Sequence, residues 1–159
     1  MTVVIVDTNV PLVANGSCEG VSAKCRLATI DFLESLLHRG KIAIDLEGAI
    51  EEEYRRQLGV GSPGVGSRFI QKFFSEAADR VVRVSAPIDG HGHHKKFKFD
   101  GTLKRFDRSD RKFVAVAVET GAEIYNATDS DWLEHNEELS RRGIKLRFIC
   151  GNRKADWFE

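Results

Sequence analysis

The sequence predicts an α/β domain built on a mainly parallel β-sheet flanked by helices. Three observations carry that prediction. Short apolar runs such as Val3 to Val6 suit strands buried on both faces. Between such runs, apolar residues recur at three- and four-residue spacing, the period of an amphipathic helix. Strands and helices alternate along the chain, the order from which parallel sheets are made. At 159 residues the chain holds one core and is too short for two comfortable ones, so residues 1–159 read as a single domain.

Taken in order, Val3 to Val6 predicts the first strand and Asp7-Thr8-Asn9-Val10-Pro11 a turn. From about Ser22 to His38, Leu27, Ile30, Leu33, Leu36 and Leu37 fall at helical spacing, and Gly40 stands where a C-cap belongs. Lys41 to Ile44 reads as a second strand. Ile50, Tyr54 and Leu58 then mark one face of a helix over about 46–58. Gly59 to Ser67 is a glycine-rich, flexible connection without the GK[ST] ending of a phosphate-binding loop. Phe69, Ile70, Phe73, Phe74 and Ala77 form another amphipathic face, and Val81 to Val84 a third strand. An exposed loop with His91, His93, His94 and several lysines is expected at about 87–101. A helix over 108–120 stopped by Gly121, a strand over 123–126, a helix over about 131–140 and a strand over 144–149 complete the chain.

Lys plus Arg equals Asp plus Glu, so whole-molecule charge points to no partner. Locally, residues 83–112 are basic, with Arg83, Lys95, Lys96, Lys98, Lys104, Arg105, Arg108, Arg111 and Lys112 against four aspartates. Cys18, Cys25 and Cys150 lack a CxxC spacing, and an odd count without a signal peptide predicts reduced thiols and a cytoplasmic setting. No apolar run approaches the roughly 20 residues a membrane span needs.

Acidic residues are spaced through the whole chain beside predicted strand ends and helix starts: Asp7, Glu53 within Glu51-Glu52-Glu53, Asp110, and Asp129 with Asp131. Carboxylates gathered by a fold repel one another, so such a cluster usually persists because it binds a cation. Hard divalent ions such as Mg²⁺ or Mn²⁺ take oxygen ligands. In open parallel sheets ligands bind beyond the carboxyl ends of strands where strand order switches, and Asp7 and Asp129 fall just past predicted strands.

At these residues the chain resembles the PIN-domain nucleases, which include the toxins of many toxin–antitoxin pairs. The match runs through Asp7-Thr8-Asn9 after the first strand, Glu53-Tyr54 on a helix, Asp110 through Ala117, and Asp129-Ser130-Asp131-Trp132, in order over residues 3–149. The resemblance implies a three-layer fold with a central parallel sheet, a Mg²⁺ or Mn²⁺ site, and cleavage of single-stranded or exposed RNA. It also implies an antitoxin protein as partner and homodimerisation. Asp7, Glu53, Asp110 and Asp129 are its catalytic and metal-binding candidates. Asn9 and Asp131 would support them, and Lys95, Lys96, Lys98, Lys104 and Arg105 would meet RNA phosphates. The corresponding chemistry is metal-assisted hydrolysis, with one or two ions activating water for in-line attack.

Each residue also has a plainer reading. Asp7 suits a turn or helix cap, Asp110 a favourable helix dipole, and Asp131 a capping box with Glu134. The three glutamates suit a solvated face paired with Arg55 and Arg56. The histidines are compatible with zinc but, among glycines and lysines, read better as a solvated loop. Phe97 and Phe99 suit either base stacking or anchorage of the loop, with Phe106, to the core; Trp132 and Trp157 suit packing. A haloacid-dehalogenase phosphatase needs a second Asp where Asn9 stands. A non-catalytic RNA- or protein-binding module of the same fold is the remaining alternative.

Overall fold

A computed structural model of the chain describes residues 2–59 and 64–159. Its sheet contains Thr2–Val6 (β1), Gly40–Asp45 (β2), Val81–Val84 (β3), Glu123–Asn126 (β4) and Leu146–Phe148 (β5). The strands run parallel in the order β3-β2-β1-β4-β5. Strand order therefore reverses at β1, between β2 and β4, and the crevice beyond its carboxyl end is the natural ligand position. Val4, Ile5 and Val6 are all buried, as are Ile42, Ala43 and Ile44. Alternate side chains point to opposite faces of a sheet, so both faces are covered.

The flanking helices are Asn9–Asn15 (α1), Ala23–Arg39 (α2), Ala49–Leu58 (α3), Val65–Ser75 (α4), Ala77–Arg80 (α5), Arg111–Thr120 (α6), Ser130–Glu134 (α7) and Asn136–Arg141 (α8). Helices α1, α2 and α4 pack on one another, while α6 lies against four strands. Close packing of α1 on α4 needs Gly66, because a Cβ there would meet the Pro11 carbonyl oxygen at 2.0 Å. In α3 the buried Ile50, Tyr54 and Leu58 form the inward stripe, each side chain contributing about 1.5–3 kcal/mol on burial.

Several local expectations are corrected. The expected turn through Pro11 is the start of α1; proline is tolerated there because first-turn N–H groups have no helical partner. Gly40 is the C-cap of α2 as expected, its N–H donating to the Leu36 carbonyl, but its backbone is extended rather than left-handed because it also begins β2, where a Cβ would lie 2.8 Å from the Thr2 carbonyl oxygen. Helix α3 begins at Ala49 rather than 46, because Asp45 turns its carboxylate onto the N–H groups of Ala49 and Ile50, at 2.8 Å each. One helix over 131–140 is instead α7 and α8, broken at His135, whose ring Nδ1 engages the Asp131 carbonyl. Of the glycine-rich connection expected at 59–67, residues 60–63 lie outside the described residues, and α4 is under way by Val65.

The thiol expectation is also corrected. Cys25 near the start of α2 and Cys150 after β5 form a disulfide across 125 residues, with Cα atoms 5.1 Å apart. Such a pairing has no sequence signature, since folding alone brings the two positions together. Cys18 is the free thiol among the described residues. No helix among those residues is long and apolar enough to cross a membrane.

The segment over 87–101 is two-sided. Lys95, Lys96 and Lys98 are exposed, whereas His94, Phe97 and Phe99 are buried. Phe99 stacks on Phe106, which meets Trp132 edge-on, so these rings anchor the segment and are not free to stack on bases. Arg111 completes the anchorage. Its guanidinium donates to the carbonyls of His91, Lys104 and Phe106 and lies 4.5 Å from the Phe99 ring centre. A buried cation with this many acceptors is a firm tie.

Candidate metal centre

Three aspartates reach one point at the strand-order switch. Asp7 directly follows β1, and its N–H continues the ladder by donating to the Tyr125 carbonyl at 3.0 Å. Asp129 follows β4 and caps α7, its Oδ1 accepting from the Asp131 N–H at 3.0 Å. The cap is therefore Asp129, not Asp131. Asp110 closes a tight turn over Arg108–Asp110, begun by Asp107, and leads into α6. One carboxylate oxygen from each of Asp7, Asp110 and Asp129 lies within 4.8 Å of the others.

Asp7 Oδ2 is buried without a hydrogen-bond partner. A buried carboxylate oxygen left unpaired costs about 1–3 kcal/mol or more, so it marks a position where something positive belongs. An octahedral Mg²⁺ with oxygens at about 2.1 Å places them roughly 3–4 Å apart. The three aspartates fit that requirement with small side-chain adjustments, and their oxygen-only donor set suits Mg²⁺ or Mn²⁺ better than zinc.

Electrostatics agree with the geometry. Burial, then the neighbouring Asp129 and Glu53, raise the Asp7 pKa to about 8. Burial, then Asp7 and Asp129, raise that of Asp110 to about 10. Asp129 is raised too, mainly by burial. Burial and mutual repulsion thus favour proton uptake by the cluster when no cation is present.

Glu53 stands apart from the neighbouring glutamates. Glu51 pairs with Arg55 and Arg83, Glu52 is exposed, and Glu53 is buried towards the aspartates. Both of its oxygens are engaged: the Thr8 hydroxyl donates to Oε2, and Lys112 Nζ donates to Oε1 at 2.8 Å. Glu53 is thus held beside the three-aspartate set and is not one of its close-packed oxygens.

The Asn9 side chain does not hold Asp7. Its Oδ1 accepts from the Thr128 N–H at 2.6 Å and its Nδ2 donates to the Thr128 hydroxyl at 3.1 Å. It is the Asn9 backbone amide, not its side chain, that favours the charged form of the Asp7 carboxylate. Buried Asn126 secures the same turn, its amide bonding both the N–H and the carbonyl of Asp129. Asp131 faces elsewhere: its Oδ2 accepts from the Asp107 N–H, and its Oδ1 lies 3.3 Å from His135.

The basic candidates are spread out. Lys96 pairs with Glu119, nine residues after Asp110 along α6 and so about 13 Å away. Lys95 and Lys98 are exposed on that same segment. Lys104 and Arg105 are exposed and lie just before the turn that carries Asp110. The three loop histidines are not gathered as metal ligands: His94 bonds Pro87 and Glu119, and His93 Nδ1 accepts from the Phe99 N–H.

Sequence reasoning missed Thr8, Lys112, Asn126 and Thr128. One signal was available for Lys112. A cation in the first turn of α6 opposes the helix dipole, so its presence calls for an acidic partner.

No known family model matches the chain, and no curated protein sequence matches it. Among solved structures, a chain in the crystal structure of VapBC2 from Rickettsia felis bound to a DNA fragment from their promoter is similar with a TM-score of 0.49 and 12% identity. The match covers 92% of this chain and 98% of that one.

Proposed function

We propose that this chain is a divalent-metal-dependent endoribonuclease of the PIN type, hydrolysing phosphodiester bonds of single-stranded or exposed RNA. The observation that carries the reading is the buried three-aspartate set at the strand-order switch, with Asp7 Oδ2 left unpartnered inside it. Asp7, Asp110 and Asp129 would hold Mg²⁺ or Mn²⁺. When bound, such an ion supplies Lewis acidity to a phosphoryl oxygen and lowers the pKa of water.

The chain's other residues orient and hold. Glu53, fixed by Thr8 and Lys112, presents a carboxylate beside the aspartates and positions water at the site's edge. Asn9 and Asn126 keep the Asp129 turn in place. Lys104 and Arg105, exposed just ahead of Asp110, would take RNA phosphates, each as a salt-sensitive contact. The Lys95, Lys96 and Lys98 group would engage a more distant part of a bound strand. An antitoxin partner and a homodimer belong to the same reading, and co-purification with the product of the neighbouring gene tests the first.

Cleavage of single-stranded RNA in Mg²⁺ or Mn²⁺ by the purified protein is the direct experiment. Activity is expected in wild type and absent in folded Asp7→Asn and Asp110→Asn variants. Full activity in both variants rejects the site. RNA binding without cleavage in any divalent metal favours a non-catalytic binding module.

A further inference from the structure

Among the described residues, Lys112 is the one lysine paired with a carboxylate of the acidic site. It extends from the first turn of α6, and its side chain and that of Glu53 are each 11% exposed. Its Nζ donates to Glu53 Oε1 at 2.8 Å and to the Ser109 carbonyl, which lies next to Asp110 in sequence. It also stands 5.2 Å from the centre of the Phe113 ring. The ammonium is therefore surrounded by acceptors and held in one place.

The four carboxylates of this site consequently divide into two groups. Asp7, Asp110 and Asp129 converge and leave an oxygen without a partner, whereas Glu53 has both oxygens occupied. A site with four free carboxylates could accommodate two divalent ions. Here the space against Glu53 already contains a positive charge.

We infer that Lys112 is a built-in cation in place of a second metal, so that the site takes a single divalent ion on Asp7, Asp110 and Asp129. The inference rests on the metal-dependent reading proposed above. Its physical basis is charge exclusion. An ammonium fixed on Glu53 repels a second dication at ordinary ligand spacing, lowering its affinity by about a thousandfold in a partly buried site. Lys112 is a positioning residue in this scheme. It fixes the Glu53 carboxylate and limits metal stoichiometry without being a ligand.

The test is Mn²⁺ binding followed by calorimetry and electron paramagnetic resonance on the intact chain. Wild type is expected to bind one Mn²⁺ with the spectrum of an isolated ion. Lys112→Gln, which keeps a hydrogen-bonding head but removes the charge, is expected to take a second Mn²⁺ at least about tenfold more tightly than wild type. That second ion should produce the spin-coupled signal of a close pair. Lys112→Arg should restore single-ion binding, which a purely structural role for Lys112 does not predict.

Two coupled ions in wild type overturn the inference and leave the metal-dependent reading standing. A single ion in a folded Lys112→Gln overturns it as well. No ion in wild type overturns both. Should Lys112→Gln fail to fold, Glu53→Gln keeps the question open to refutation. That variant should still bind one Mn²⁺, and loss of the ion would make Glu53 a ligand.

Discussion

Asn9 and Thr128, 119 residues apart in sequence, grip each other through the side-chain amide of one and the backbone N–H and hydroxyl of the other. The contact joins the start of α1, which follows Asp7, to the turn that carries Asp129. It therefore sets the separation of two proposed ligands without touching the space between them. Asn9→Ala removes both bonds and leaves the Thr128 N–H seeking a partner. We expect Mn²⁺ affinity to fall about 10–100-fold and stability to fall about 1–3 kcal/mol. Calorimetric titration with Mn²⁺ and urea unfolding measure the two effects separately.

Asp7 is expected to trade stability for metal binding. It is 3% exposed, has an oxygen without a partner, and faces other carboxylates. Replacing it with Asn removes a carboxyl whose charged form burial and acidic neighbours disfavour, so that it must take up a proton to be buried, and supplies an amide of similar shape. The Asp7→Asn protein should therefore melt about 2–8 °C higher than wild type without metal, corresponding to about 1–2 kcal/mol. In saturating Mn²⁺ the order should reverse, because only wild type gains stability from the ion. Equal melting temperatures in chelator would show that the cluster is unstrained.

Much of this arrangement was legible before the fold was known, for a physical reason. Strands buried on both faces must be apolar throughout, so β1 and β2 stood out, and the acids just beyond predicted strand ends marked a candidate site although turn and cap roles were open to each. What escaped were relationships made only by tertiary contact. Nothing local distinguishes Glu53 from Glu51 and Glu52; burial against Lys112 and Thr8 does. Asn9 looked like a companion of Asp7 because they are neighbours in sequence, yet its side chain turns to Thr128. Phe97 and Phe99 alternate with lysines, so the pattern alone left open whether they face solvent or core. Phe99 packs with Arg111 and Phe106, and Phe97 with Phe99 and Arg142, contacts made only with residues later in the chain.

The raised carboxyl pKa values also fix a pH dependence. Asp7 and Asp110 titrate near 8 and 10 in the fold, against ordinary values of 3.8. Between pH 4 and 8 the folded protein thus binds more protons than the unfolded chain, and stability must fall as pH rises. The metal-free protein should lose melting temperature progressively from pH 5 to 9. Divalent ions displace those protons, so Mn²⁺ affinity should rise with pH over the same range. Titration in two buffers of different ionisation enthalpy reads the proton release directly. Affinity that falls with rising pH would contradict the protonated cluster.

The Cys25–Cys150 bond closes a loop of 125 residues and ties the start of α2 to the segment after β5. A cross-link over so long a loop removes much of the freedom of the unfolded chain, an effect of about 2–5 kcal/mol. The candidate metal centre lies elsewhere, at the carboxyl ends of β1 and β4, and shares no residue with the bond. Cys150→Ser should therefore lower the melting temperature by roughly 5 °C or more while leaving Mn²⁺ affinity within about threefold of wild type. Thermal melts of wild type with and without a phosphine reductant should show the same loss. The Cys150→Ser melt should not respond to the reductant. A reductant-insensitive wild type would mean that the two thiols do not pair in solution.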